Sequence, residues 1–161
     1  MSELRTNRIV PRDGLASGAY GGIIQVKYAS VNGSNQSSTS TDFADATGVT
    51  VDITPTRADS AILIMLTFNG NNAASGGGRL MYQVQRDIGG GGYSTIFSVG
   101  EALVDYSASN IHVQGIGNNF IDTPSTTSAV TYKLQFATHN GTQVQINNNG
   151  RTDLIVMEIA G

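Results

Sequence analysis

Histidines and carboxylates are the residue types in this sequence that could carry acid–base or metal chemistry. The two histidines, His112 and His139, lie far apart in the chain and match no metal-ligand spacing such as His-Glu-x-x-His. Glu101, Asp105 and Asp122 lie in the same third of the chain, but sequence cannot show that two of them face each other as a glycosidase requires. We therefore expect no catalytic residue, no metal and no cofactor.

Two glycine runs, at 76–78 and 89–92, are the other candidate ligand-binding features. Neither continues into the Gly-Lys-Ser/Thr of a phosphate-binding loop, and neither precedes a predicted helix, so both are predicted to be turns. The sequence has no Gly-x-Ser-x-Gly nucleophile motif. It also has no cysteine, which excludes disulfides and thiolate metal sites. These observations argue against an enzyme.

Aromatic and amide side chains in the predicted middle loops suit sugar recognition by stacking and hydrogen bonding. The same residue types are common in ordinary exposed turns, which is the simpler interpretation. The candidate glycan-binding residues are Tyr93, Tyr106, Asn110 and His112.

The composition limits the possible partners. The chain has 161 residues, of which 13% are charged, and its net charge is −3; ordinary soluble domains carry about 25% charged residues. No basic stripe is present, so we expect no nucleic-acid partner. No apolar run approaches the roughly 20 residues of a membrane span, and no apolar leader is seen, so we expect synthesis in the cytoplasm without membrane insertion.

The stretch from Ser60 to Asn69 organises the predicted fold. It holds five consecutive large aliphatic residues, Ile62 to Leu66. In a strand, alternate side chains face opposite ways, so this one would be apolar on both faces along its first half. Such a strand is either central in a thick core or covered by a second chain. Its predicted inward residues are Ile62, Ile64, Leu66 and Phe68.

Further short strands follow at regular spacing, with no helical periodicity. The clearest alternation is at 129–138, where Val130, Tyr132, Leu134 and Phe136 would point inward. Asn140-Gly141 then predicts a hairpin, with 142–146 returning antiparallel. Gly115 and Gly117 indicate a bulge or a bend within the apolar stretch at 110–122. Eight to ten such strands predict an all-β protein, a jelly-roll-like antiparallel β-sandwich.

The last predicted strand, 153–160, is also apolar on both faces. Together with the central strand, it could lie where copies of the domain meet around a symmetry axis, in a homotrimer. The predicted oligomer-interface residues are Leu63, Met65, Ile155, Met157 and Ile159.

The first 22 residues differ from the rest, which suggests two parts: an extended arm and hinge at 1–22 and a β-sandwich knob at 23–161. The arm has few apolar residues and no lasting period, so alone it could not bury enough surface to fold. We expect it either to lie against its own domain or to anchor the protein on a larger assembly. The candidate anchor residues are Leu4, Arg5, Arg8, Ile9, Val10, Pro11 and Arg12.

Three segments resemble virion proteins of tailed phages, especially those that infect cyanobacteria. They are the start (4–14 and 21–26, ending Gly-Gly-Ile-Ile-Gln-Val), the stretch 120–135 (Phe-Ile-Asp-Thr-Pro-Ser-Thr-Thr-Ser-Ala-Val-Thr-Tyr-Lys-Leu-Gln) and the end, 155–161 (Ile-Val-Met-Glu-Ile-Ala-Gly). The resemblance implies a trimeric β-sandwich knob located in the virion. It is shared by fibre tips and other structural proteins, so it does not separate head from tail.

About twenty residues precede the sandwich, without the heptads of a fibre stalk. A knob seated directly on a surface is therefore expected, as in a capsid cement or decoration protein that binds the major capsid protein through its arm. The alternative is a tail-fibre or receptor-binding tip that binds a tail or baseplate protein and recognises a host surface glycan. A carbohydrate-active enzyme comes third.

Overall fold

A computed structural model describes residues 21–72, 78–104 and 111–161, with the backbone alone at 101–104 and 111–114. Within these ranges the chain forms ten strands and no helix. The strands are β1 (Ile23–Asn32), β2 (Gln36–Ser38), β3 (Ala44–Ile53), β4 (Ala61–Asn72), β5 (Arg79–Ile88), β6 (Ser94–Val104), β7 (Ile111–Asp122), β8 (Val130–Thr138), β9 (Val144–Ile146) and β10 (Arg151–Ile159).

The eight long strands form two antiparallel sheets in jelly-roll order. The first sheet runs β1-β10-β4-β7, and the second runs β3-β8-β5-β6. The pairs β1 with β10, β3 with β8, β4 with β7 and β5 with β6 are nested, as in one long hairpin folded over into two layers. The predicted jelly-roll-like β-sandwich is therefore confirmed.

Strand β4 is the central strand of the first sheet, as its apolar run predicts. It pairs with β7 along one edge, and its other edge is shared by β10, at residues 61–67, and β9, at residues 70–72. The strand continues to Asn72, three residues beyond the predicted end at Asn69. The polar residues after Asn69 remain extended because β7 and β9 both pair with them.

The core lies between the sheets and consists of alternate residues from both layers. All eight side chains predicted to be inward are buried: Ile62, Ile64, Leu66, Phe68, Val130, Tyr132, Leu134 and Phe136. The rings of Phe68 and Tyr82 meet edge to face, with centroids 4.9 Å apart, and join the two sheets. Full burial of one large aliphatic side chain contributes about 1.5–3 kcal/mol. Because the inward side chains of each strand all lie on one face, the apolar faces of the two sheets pack against each other.

Strand β9 contradicts the predicted hairpin. Residues 144–146 pair with β4 and β2 in the first sheet and not with β8. Both edges of β8 are already paired, with β3 and β5, so the segment after Gly141 has no free edge to return to. The Asn140-Gly141 turn instead carries the chain from one sheet to the other.

Three further details refine the predicted strands. Strand β6 runs from Ser94 to Val104 with a register shift opposite Leu80 and Tyr82. A bulge is present in β7, and Gly115 adopts φ +77° there. The connection between β1 and β3 contains the short strand β2.

Candidate interaction surface on the first sheet

The register between β10 and β4 places the predicted interface residues on one face. Ile155 lies opposite Met65, Met157 opposite Leu63, and Ile159 opposite Ala61. The intervening residues of β10, such as Leu154 and Val156, are fully buried between the sheets. The five predicted residues therefore share the outer face of the first sheet, where each side chain is partly exposed.

The flanking strands extend this face on both sides. From β1, Tyr28 lies opposite Ile155, Val26 opposite Met157, and Ile23 opposite Ile159. From β7, Ile121 lies opposite Leu63. Directly opposed residues of a ladder share a face, so the nine side chains form one surface, here named the apolar face: Ile23, Val26, Tyr28, Leu63, Met65, Ile121, Ile155, Met157 and Ile159.

Most of the exposed large apolar side chains in the described ranges belong to this face. Four of the six are its members: Ile23, Val26, Tyr28 and Ile121, at 61%, 48%, 70% and 47% exposure. The fifth, Ile24, lies in the adjacent bulge of β1. Contiguous exposed apolar surfaces are typical of interaction sites, whereas apolar residues scattered singly are common on any protein.

The apolar face ends where β4 becomes polar. Asn69 and Asn71 continue the outer face of β4 but are buried. The Asn69 side-chain amide donates to the Asn148 carbonyl over 2.6 Å, and that of Asn71 donates to Gln145 Oε1 over 3.0 Å. The segment around Asn148 thus covers the polar half of the outer face, while the described residues of the apolar half stay partly or fully exposed.

Asp122, one of the three carboxylates considered for catalysis, joins the two sheets. Its Oδ1 pairs with Arg86 Nη1 over 2.7 Å, and its Oδ2 accepts from the Tyr132 hydroxyl over 2.7 Å. Burial, together with the hydrogen bond to this carboxylate, raises the pKa of Tyr132 well above its ordinary value. Both oxygens are used in a contact that holds β7 against β5 and β8.

Glu158 is a buried carboxylate on the inner side of β10. Its oxygens accept from Gln25 Nε2 over 2.7 Å, from the Ser60 hydroxyl over 2.8 Å, and from the Thr56 backbone N–H and hydroxyl over 2.7 and 2.8 Å. Burial would raise the pKa of this carboxyl, but these four hydrogen bonds outweigh burial and lower it. The group therefore ties β1 and the 54–60 connection to β10.

The other carboxylates considered for catalysis, Glu101 and Asp105, have no described side chains. Asp105 lies outside the described residues, and only the backbone of Glu101 is described. Where side chains are described, no group of three histidine, cysteine or acidic residues could hold a metal ion, and no pocket is found. In the same ranges, no helix has the length and apolar character needed to cross a membrane.

The structure describes two of the four glycan candidates, Tyr93 and the backbone of His112, and these two lie on different elements. Tyr93 is exposed in the turn before β6, with Lys133 Nζ 3.8 Å from its ring centroid. His112 lies on β7 opposite Asn71. Tyr106, Asn110 and all the anchor candidates from Leu4 to Arg12 lie outside the described residues.

Comparison with known proteins shows a fold relationship. No protein-family model matches the chain, and a search of characterised proteins gives no sequence match. The structure is similar to one solved for infectious bursal disease virus, Gt strain, with TM-score 0.51 and 10% identity over 98% of this chain. A mutant VP2 protein of the same virus, in derived T=1 particles, gives TM-score 0.47 and 9% identity over 96% of this chain.

The chain spans 43% and 40% of the lengths of those two proteins. At 10% identity, the likeness to the Gt strain structure concerns the fold alone, and it agrees with the jelly-roll order of the strands.

Proposed function

We propose that this protein is a virion structural protein, a homotrimeric capsid cement or decoration protein of a tailed phage. Its copies associate through the apolar face, and its N-terminal arm attaches the trimer to the major capsid protein. The apolar face is the observation that carries the proposal. The jelly-roll fold, similar to that of a virus structure, and the phage-like sequence segments support it.

A second copy of this chain is the partner that suits the apolar face best. Along four adjacent strands the face offers aliphatic, methionine and tyrosine side chains, and a partner must supply a similarly apolar surface to cover them. Burial of apolar surface contributes about 25 cal/mol per Å², so copies in solution would associate without a ligand. A closed ring of a few copies is the usual outcome for a soluble protein, and the resemblance to trimeric knobs favours three.

The arm supplies the attachment. Arg5, Arg8 and Arg12 would pair with acidic residues of the shell, while Leu4 and Ile9 fill shallow apolar sites. Val10 would add to the apolar contacts. Pro11 would stiffen the extended arm and reduce the entropy lost when it binds.

The copy number per particle tests this function. Decoration of a shell requires hundreds of copies, whereas a tail fibre requires a few tens at most on grounds of tail symmetry. Purified particles should therefore contain this protein in an amount comparable to that of the major shell protein. Deletion of residues 1–15 should release it from particles while the free protein still forms trimers. A low copy number would contradict decoration, and retained attachment would contradict the anchor.

A receptor-binding tail tip is the second candidate function, and the exposed ring of Tyr93 favours it. Aromatic rings are suited to stacking on sugars, and Lys133 stabilises this one in place. In that case, free protein should block adsorption of the phage to its host, and Tyr93→Ala should remove the block. A decoration protein should have no effect on adsorption.

A further inference from the structure

Four Asn-Gly pairs occur in the chain, at Asn32, Asn69, Asn140 and Asn149. In such a pair the glycine amide nitrogen can attack the asparagine side-chain carbon, because glycine has no side chain to block the approach. The reacting dipeptide is the same in all four pairs, so comparison of the folded with the unfolded chain isolates what the fold contributes to reactivity.

The fold restrains three of the pairs. The Gly33 N–H donates to the Gly150 carbonyl over 2.9 Å. Asn69 is buried, and Gly70 pairs with both β7 and β9. The Gly150 N–H donates to the Asn147 carbonyl over 3.4 Å, and Gly150 is packed so tightly that an added Cβ would lie 2.5 Å from Asn69. In each of these pairs, either the glycine N–H that would attack is hydrogen-bonded or the asparagine side chain is buried.

The pair at Asn140 is different. Both Asn140 and Gly141 are exposed, and an added Cβ at Gly141 would meet nothing within 4 Å. The side-chain oxygen of Asn140 accepts from the Thr138 hydroxyl over 3.1 Å and from the Thr142 N–H over 3.3 Å. Two donors therefore point at the oxygen on which negative charge would develop when the side-chain carbon is attacked, which is the arrangement that stabilises an oxyanion.

We propose that Asn140-Gly141 is a self-modification site, at which the folded protein promotes its own deamidation. The Gly141 nitrogen loses its proton to hydroxide and bonds to Cγ of Asn140. The Cγ–Nδ2 bond then breaks as Nδ2 takes a proton from water, which releases ammonia and regenerates hydroxide. The resulting five-membered succinimide is opened by water to give aspartate or isoaspartate. Nothing is oxidised or reduced, and water and hydroxide are the only co-reactants.

The modification would change the connection between the two sheets. The loop between β8 and β9 would gain one negative charge, and the isoaspartate form would add one methylene to its backbone. The proportion of modified chains would rise with the age of the protein, so older molecules would become more acidic.

Peptide mass spectrometry of the full chain tests the proposal. Purified protein is incubated at pH 8.5 and 37 °C, folded and in parallel in urea, and the mass increase of about 1 Da is followed at each pair. In urea all four pairs should react at similar rates. In the folded protein, Asn140 should react faster than it does in urea, and at least tenfold faster than Asn32 and Asn69. A folded rate at Asn140 that is no higher than its rate in urea, or equal ratios among the pairs in the two conditions, would overturn the proposal.

Thr138→Val tests the part played by the hydroxyl, since valine has nearly the same shape. Loss of one neutral donor should slow the reaction at Asn140 about fivefold to tenfold in the folded protein and leave it unchanged in urea. An unchanged or faster folded rate would show that the Thr138 hydroxyl does not promote the reaction. Circular dichroism and the urea midpoint check that the variant is folded.

Discussion

Met157 of β10 lies directly opposite Leu63 of β4, and both side chains remain partly exposed at the centre of a sheet. Val26 on β1 and Ile121 on β7 continue the row to either side. Four apolar residues from four strands thus form one row, about 14 Å across at the usual strand spacing. Within the described residues of one chain this row is partly exposed, and the proposed association of copies would place it at the centre of their contact.

A charge placed in this row should separate the copies. Met157→Lys is expected to give a monomer of 16.8 kDa, because a buried unpaired ammonium is costly while an exposed one is not. Size-exclusion chromatography with light scattering measures the mass. The matched control is Ser98→Lys, which adds the same charge at an exposed position of the second sheet and should leave the mass unchanged. An associated Met157→Lys protein would show that the contact lies elsewhere.

The link between Tyr132 and Asp122 predicts a loss of stability. Tyr132→Phe removes the hydroxyl that donates to the carboxylate and leaves Asp122 with Arg86 alone. A hydrogen bond to a charged group contributes about 1.5–3 kcal/mol, and the free energy of unfolding should fall by about that amount in urea titration. Tyr93→Phe removes an exposed hydroxyl and should change stability by less than about 0.5 kcal/mol. Equal effects of the two variants would contradict a structural role for the link.

Glu158 predicts how stability depends on pH. Because its pKa is lower in the folded protein than the ordinary value of 4.5, its contribution is fully present above that ordinary pKa. The contribution is lost as the pH falls through the lowered folded pKa. Glu158→Gln should therefore reduce stability at pH 7 and weaken the decline of stability below the ordinary pKa. The measurement is urea unfolding at pH 7 and across the acid range. Asp42→Asn, in an exposed loop, is the control, and an unchanged acid decline in Glu158→Gln would contradict the assignment.

Much of the fold follows from local patterns. The alternation from Val130 to Phe136 identifies the core face of β8, and the doubly apolar run in β4 identifies the centre of the first sheet. The prediction that β9 pairs with β8 is wrong for a physical reason. Asn140-Gly141 specifies a turn, but the strand that follows can pair only with a free edge. Both edges of β8 are occupied by β3 and β5, which are distant from β9 in sequence.

The candidate surface could be predicted only in part. Strands β4 and β10 carry apolar residues on both faces, which predicts that their outer face is covered as well as their inner one. The sequence alone therefore identifies Leu63 and Met157 as members of the surface. The sequence does not identify Val26 and Tyr28 as members of the surface, because alternation in an edge strand does not show which face is inward and the bulge at Ile24 interrupts the pattern. The strand register shows which face each of them occupies. Whether the face binds another copy stays a prediction.

The mass of the unmodified protein in dilute solution tests the central claim most directly. Light scattering at micromolar concentration should give three times the chain mass of 16.8 kDa, and hydrogen exchange should show protection of the β1 and β10 amides that is lost in Met157→Lys. A stable species of 16.8 kDa, with the apolar face open to solvent, would contradict association of copies through this face.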